Sequence, residues 1–173
     1  MQSFLSKLNI RLLVVHFIAF LFFTLAFQVL GHLHDYQFLF HLSEHMNRLN
    51  FLARFNADME FVQQAGNIGL LAAYVISWFI CTKHNWHWLN SVLVFLLLFL
   101  LKNFVLPKWV PYNKVVMRPG GLFNVQSLWG HIIMATLFIA LGLLIFFSKK
   151  LIKYIEGVKP DDKKGPKGKK AGK

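Results

Sequence analysis

Four long apolar runs, joined by shorter polar segments, constrain this chain more than any other feature of its sequence. About 20 apolar residues in an α-helix span the roughly 30 Å hydrocarbon layer of a bilayer. A soluble core would not bury so much apolar surface, because 56% of the residues are hydrophobic and 19 are Phe. The sequence therefore predicts an all-α integral membrane protein, a single four-transmembrane-helix bundle in residues 1–150. The predicted spans cover about residues 11–31, 61–82, 87–106 and 125–148.

The lysine and arginine residues outside these runs predict how the bundle is oriented. The second and third runs are so close in sequence that they must form a tight helical hairpin. Since Lys and Arg collect on the cytoplasmic side of membranes, we expect a multi-pass protein of the plasma (inner) membrane with both termini in the cytoplasm. One side then holds Lys7, Arg11, Lys83 and the C-terminal lysines, and the other holds Arg48, Arg54, Lys108, Lys114 and Arg118.

The first outside loop is long enough to have structure of its own. Leu42, Met46, Leu49 and Leu52 recur at steps of three or four residues, with polar residues mostly between them. This is the period of an amphipathic helix. We predict such a helix over about residues 38–56, with a boundary at Asn56, which can cap a new helix leading into the second span.

Positive charge is concentrated at the C-terminus. The formal net charge is +12, and residues 149–173 alone hold ten lysines against three acidic residues. We predict residues 151–173 to be a cytoplasmic Lys-rich tail, mostly disordered, that binds anionic lipids. No basic platform interleaved with aromatic residues accompanies it, so no nucleic-acid partner is expected. The predicted headgroup contacts are Lys163, Lys164, Lys167, Lys169 and Lys170 in the tail and Lys108, Lys114 and Arg118 in the second outside loop.

Several residues inside the runs also permit predictions. Gly69 and Gly142 would let neighbouring helices approach closely. Lys102, near the end of the third run, is interpreted as an anchor whose stem reaches the membrane interface. His16 is an ionisable group inside the first run, so it is either functional or a neutral side chain bonded to a neighbouring helix.

Eight histidines raise the question of a metal site. The segment HLSEH at residues 41–45 matches a pattern in which two histidines one helical turn apart hold zinc and a Glu activates water. His41, His45 and Glu44 are therefore candidate metal ligands, with His32, His34, Asp58 or Glu60 as a third ligand. A loop of this size cannot build the cleft of a peptidase, so no catalytic residue is assigned.

A haem site is a second interpretation of the histidines. Four-helix bundles hold b-type haem between axial histidines on facing helices. His16 and His87 lie at a similar predicted depth, and His131 lies near the depth of His32 and His34. A di-iron site built from all the pairs is excluded, because His84 and His87 fall about 30 Å from His32–His45 across the bilayer.

These patterns favour a non-enzymatic accessory or scaffold subunit of a membrane complex, with no cofactor predicted. One alternative is a His-ligated redox membrane protein that binds haem b or a divalent metal. A further alternative is a small transporter or envelope-lipid enzyme. The expected partners are the lipid bilayer, anionic lipids and either another membrane protein or further copies of this chain.

Overall fold

A computed structural model of the chain describes residues 7–37, 49–105 and 128–157, and no strand occurs among them. Five helical segments make up this part of the chain. They are α1 (Ile10–Gly31), α2 (Phe51–Lys83), α3 (Leu89–Leu100, continued by a π-helical turn at Leu101–Val105), α4 (Leu128–Phe147) and α5 (Lys149–Glu156).

Three of these helices are long and apolar enough to cross a membrane. They are α1, α2 and α4, whose most apolar windows have mean hydropathies of 2.4, 1.6 and 2.4. The third predicted span corresponds to the shorter apolar helix Leu89–Val105. The prediction of an all-helical chain with membrane-spanning helices is confirmed at this level.

Helix α1 lies at the centre of the bundle and packs against α2, α3 and α4. Small residues allow the close approach. A Cβ atom added to Gly69 of α2 would lie 2.5 Å from the backbone oxygen of Phe23 in α1, and one added to Gly142 of α4 would lie 2.7 Å from the Phe23 ring. The predicted role of both glycines in helix packing is confirmed. Phe20, Phe23, Leu70, Leu98 and Phe146 belong to the apolar core that these helices share.

The outward surface of α2 is as apolar as the core. Ile68, Leu71, Val75 and Phe79 recur at steps of three or four residues, and more than half of each is exposed. Exposure of such a stripe to water would be very unfavourable, whereas in a bilayer the stripe contacts apolar lipid chains. This pattern supports burial of α2 in lipid.

The connections of α2 differ in how well the sequence predicted them. The tight hairpin between α2 and α3 is confirmed: Asn85 takes a positive φ of 55° and Trp86 N–H donates to Cys81 O at 2.8 Å. At its other end α2 runs without interruption through Asn56, so the predicted boundary there is wrong. Residues 51–56 of the predicted loop helix form the first turns of α2, and residues 38–48 lie outside the described residues.

Helix α5 is a short amphipathic helix that folds back on the bundle. Ser148 accepts a hydrogen bond from Leu151 N–H at its start, and Gly157, with a φ of 74°, ends it in the left-handed conformation that glycine adopts readily. Ile155 is 5% exposed and packs with Leu12 and Cys81. The predicted tail therefore begins as a docked helix, and residues 158–173 lie outside the described residues.

Candidate functional site

Three hydrogen bonds bring distant parts of the sequence together at one end of the bundle. Asn9 Nδ2 donates to Ile155 O at 3.1 Å, Arg11 Nη1 donates to Tyr154 O at 3.1 Å, and Asn90 Nδ2 donates to Lys7 O at 3.2 Å. We call this the basic end; it consists of residues 7–11, 83–90 and 149–157. The antiparallel course of α1 and α2 places residues 32–37, 51–67 and 101–105 at the opposite end.

The two ends carry different charge. Among the described residues, the basic end has six Lys or Arg side chains and one acidic residue, Glu156, which pairs with His84 at 3.3 Å. The opposite end has two basic residues, Arg54 and Lys102, and three acidic residues. Arg54 forms an ion pair with Asp35 there. Among residues 7–37, 49–105 and 128–157, a local excess of positive charge therefore lies at the basic end and not at the opposite end.

Polar side chains inside the bundle form a hydrogen-bonded chain across three helices. His16 Nδ1 lies 2.7 Å from Ser77 Oγ, which lies 2.7 Å from Ser91 Oγ. Cys81 Sγ lies 3.2 Å from the same Ser91 hydroxyl. All four side chains are at most 1% exposed. For His16, this geometry favours the interpretation as a side chain bonded to a neighbouring helix, which satisfies polar atoms that lipid could not.

A second buried group, near the opposite end, is not satisfied in this way. His32 is 2% exposed, and its ring centroid lies 6.0 Å from that of His131, with the planes at 85°. Both His32 ring nitrogens and both amide atoms of Gln28 are buried without a hydrogen-bond partner in the described part of the chain. Burial, and after it the nearby His131, lower the pKa of His32 to about 4. His32 is therefore neutral at physiological pH.

Lys102 lies at the centre of a third buried polar group. Its ammonium donates to Gln63 O at 2.6 Å and to Asn67 Oδ1 at 2.5 Å, and the residue is 3% exposed. The interpretation of Lys102 as an anchor at the interface is therefore wrong, because its side chain is buried against α2. Asn103 extends the group through a 3.1 Å hydrogen bond from Gln63 Nε2. The one-turn spacing of Gln63 and Asn67 was the sequence signal for this group.

The remaining predicted site residues are widely separated. His34 stacks on Phe61 with centroids 4.0 Å apart, while His87 accepts a hydrogen bond from Leu89 N–H and stacks on Trp88. The His16 ring instead contacts Trp86 and Phe146. The other candidates, His41, Glu44, His45, Lys108, Lys114, Arg118, Lys163, Lys164, Lys167, Lys169 and Lys170, lie outside the described residues.

Within residues 7–37, 49–105 and 128–157, no group of three or more His, Cys, Asp or Glu side chains is arranged to hold a metal ion. Of the predicted histidine pairings, only His32 with His131 forms a ring contact within these ranges. Comparison of the chain with protein-family models, curated proteins and solved structures gives no match.

Proposed function

We propose that this chain is a four-span protein of the plasma (inner) membrane that acts as a non-enzymatic accessory or scaffold subunit and binds anionic lipid at its basic end. The charge difference between the two ends carries the proposal, with six basic residues against one acidic residue at the basic end. By the positive-inside rule that end is cytoplasmic. Anionic headgroups on the cytoplasmic leaflet attract such residues with about 1 kcal/mol each.

The fourth span in this proposal is α3 with its π-helical turn. Leu89–Val105 would extend about 25 Å at 1.5 Å per residue, which is a little short of the hydrocarbon layer. Local thinning of the bilayer accommodates such a difference at modest cost. An odd number of spans would place the basic residues of α5 on the side opposite Lys7, contrary to the hydrogen bonds between α5 and the start of α1.

Vesicle binding tests the lipid part of the proposal. The full chain, held in nanodiscs of neutral lipid, should bind vesicles rich in phosphatidylglycerol at low salt and release them at high salt. Replacing Lys163, Lys164, Lys167, Lys169 and Lys170 together with Ala should weaken this binding, because each lysine contributes to the attraction. Vesicles of phosphatidylcholine serve as the control. Equal binding by the wild type and the five-residue variant would remove the tail from the proposal.

Purification in a gentle detergent tests the accessory role. We expect a second membrane protein, or further copies of the chain, to remain with it in a fixed ratio through size-exclusion chromatography. A chain that runs as a monomer in several gentle detergents and brings no protein with it would contradict that role. The vesicle experiment would be unaffected by this result.

A second candidate function is a His-ligated redox or metal-binding role, favoured by the His32 and His131 rings. A transition metal binds imidazole nitrogen at about 2.0–2.1 Å, so an ion between two rings holds their centroids about 6 Å apart, near the observed 6.0 Å. Among the unpartnered buried atoms, one His32 nitrogen and the Gln28 amide oxygen are the ones that such an ion would bind.

An absorbance spectrum and metal analysis of the purified chain test this second role. It requires a haem Soret band, or iron, zinc or copper near one per chain, lost in a His32→Ala variant. His84→Ala is the matched control, since His84 lies at the basic end and pairs with Glu156. Protein that is colourless and metal-free after purification from metal-supplemented cells would eliminate the role.

A further inference from the structure

A cavity lined by both polar and apolar side chains opens at the basic end, between the start of α1 and the start of α3. Its volume is about 630 Å³, within the range of small-ligand sites. The described residues that line it include no Asp or Glu, so its charge is positive. Among them are Lys7, Asn9, Arg11, Trp86, His87 and Asn90.

Three hydrogen bonds of the Asn90 side chain, with Asn9, His87 and Lys7, hold the walls of this cavity in place. Asn9 N–H donates to Asn90 Oδ1 at 2.9 Å, and Asn90 Nδ2 donates to His87 O at 2.8 Å as well as to Lys7 O. These bonds tie the residues before α1 to the hairpin before α3. Arg11 is oriented by its bond to Tyr154 O and by its guanidinium lying 5.1 Å from the centre of the Tyr154 ring. Since Arg carries five N–H donors, one such bond leaves donors for a ligand.

A separate apolar groove lies further along the same two helices. Its volume is about 240 Å³. On α1 it begins at Leu13, two residues after Arg11, and on α3 it begins at Leu93, one turn after Asn90. At 1.5 Å per residue, the nearest lining residues of the cavity and the groove are therefore offset by about 3–5 Å along each helix axis. The side chains lining the groove are all aliphatic or aromatic and include Leu13, Val14, Phe17, Ile18, Leu93 and Leu97.

We propose that the cavity and groove together, the α1/α3 lipid site, bind one anionic phospholipid, with its phosphate at Lys7 and Arg11 and an acyl chain along the groove. This rests on the proposed function in one respect, namely that the basic end lies at the depth of lipid headgroups. The site extends from Arg11 to Ile18, about 10 Å along α1. It therefore holds the part of one acyl chain that is nearest the headgroup. Charged headgroups in basic pockets between transmembrane helices are recognised in the same way.

Charge and shape together select this ligand over a free anion or a neutral lipid. Lys7 and Arg11 provide the charge-assisted hydrogen bonds that phosphate accepts. The groove has no polar group that could bind inorganic phosphate. An acyl chain bound in the groove removes apolar surface from contact with water or disordered lipid, which favours its binding. A zwitterionic headgroup carries a cation of its own, and no carboxylate occurs among the described residues that line the cavity to pair with it.

Lipid retention by the full chain tests the site. The protein is purified in a neutral maltoside, stripped of lipid, and titrated with phosphatidylglycerol or phosphatidylcholine of equal chain length, with native mass spectrometry counting bound lipids. We expect one tightly retained phosphatidylglycerol. Lys7→Gln should weaken it about fivefold and Lys7→Gln with Arg11→Gln about 25-fold, if each cation contributes as at an anionic surface. Lys83→Gln and Lys153→Gln, at the same end but outside the cavity, should leave it unchanged.

A groove-filling variant keeps the test independent of charge and of the Arg11 contact with α5. Val14→Trp should abolish retention without altering the basic residues, whereas Val75→Trp, on the exposed face of α2, should not. Protection of Cys81 from thiol reagents checks that each variant is folded.

Four outcomes would overturn the site: equal retention of phosphatidylcholine, competition by inorganic phosphate at matched concentration, displacement of lipid by a second copy or partner helix on the groove, or equal losses in the control variants. If the site variants retain as much lipid as the wild type while vesicle binding persists, the site is refuted and the proposed function still stands. Equal vesicle binding by the wild type and the tail variant, with the retained lipid intact, would remove the tail from the proposed function and leave the site standing.

Discussion

At the scale of single residues, the buried polar side chains show how this chain accommodates polar groups in an apolar medium, where water cannot hydrogen-bond to them. Lys102 has no acidic partner among the residues that the structure describes, and its ammonium is satisfied by two neutral oxygens, those of Gln63 and Asn67. A buried cation held in this way depends strongly on each acceptor. Gln28 and His32 lack even such partners within the same residues, which is why they mark a candidate ligand position.

Asn67→Leu tests the dependence of Lys102 on its acceptors. The substitution keeps side-chain volume and removes the oxygen that Lys102 contacts, so it should destabilise the folded chain by about 1.5–3 kcal/mol. Gln64→Leu is the control, because Gln64 is exposed and accepts only from Asn67 Nδ2. The measurement is the midpoint of thermal unfolding in detergent. Equal midpoints for the two variants would show that Lys102 does not need Asn67.

At the scale of helices, α1 and its neighbours approach closely at several glycines, and Gly69 and Gly142 show how their consequences differ. At Gly69 a methyl group would meet a backbone carbonyl and the Cβ of Phe27, neither of which can move without moving α1. At Gly142 it would first meet the Phe23 ring, a side chain that can rotate. The same added atom therefore has different consequences in the two helices.

Gly69→Ala should destabilise the bundle by about 1–3 kcal/mol through forced separation of α1 and α2. Gly142→Ala should cost less. Both are measured by thermal unfolding in detergent, with Ala140→Gly as a control for helix propensity alone. The structural argument fails if Gly142→Ala proves the more damaging of the two.

Helix α5 makes a separate prediction, because it packs over the only cysteine of the chain. Truncating a buried Ile to Ala costs about 2 kcal/mol or more. Ile155→Ala should therefore favour undocking of α5 and raise the rate of Cys81 modification by a small thiol reagent at least about tenfold. Lys153→Ala, an exposed position on the same helix, should leave the rate unchanged. A rate unaffected by Ile155→Ala would mean that α5 does not protect Cys81.

At the scale of the whole molecule, the division into a basic end and an opposite end makes a claim about membrane topology. The topology claim rests on which residues lie at the same end of the bundle, and hydropathy alone does not give it. The hydrogen bonds of Asn9 and Arg11 with α5 place the start of α1 and the C-terminal helix on one side. The proposed orientation adds that this side is cytoplasmic.

Labelling of single cysteines tests this topology. In a Cys81→Ala background, Asn85→Cys and Tyr154→Cys should react with a membrane-impermeant maleimide only after the membrane is opened. Leu49→Cys, at a fully exposed position of the opposite end, should react in intact cells. Reaction of residues 49 and 85 from the same compartment would contradict both the four-span arrangement and the helix directions on which it rests.

The sequence by itself determined that this chain is helical and suited to a lipid bilayer, because runs of apolar residues as long as those in α1, α2 and α4 have few other stable environments. Hydropathy also located the hairpin after α2, since two spans with a connection that short must turn back on each other. Periodicity misplaced the start of α2, because the apolar repeat before Asn56 and the helix after it share one period and no glycine or proline separates them.

Only the tertiary structure decided which polar residues meet. Lys102 lies in the π-helical turn and donates to Gln63 and Asn67 of α2, and hydropathy gives no indication of these contacts. His32 meets His131 because α1 and α4 are antiparallel and close enough at Gly142 to bring their ends together. The α1/α3 lipid site depends likewise on how two helices and a hairpin pack. Such pairings are set by contacts between residues far apart in sequence. A local pattern such as the one-turn spacing of Gln63 and Asn67 can mark a polar helix face, but it does not identify the partner of that face.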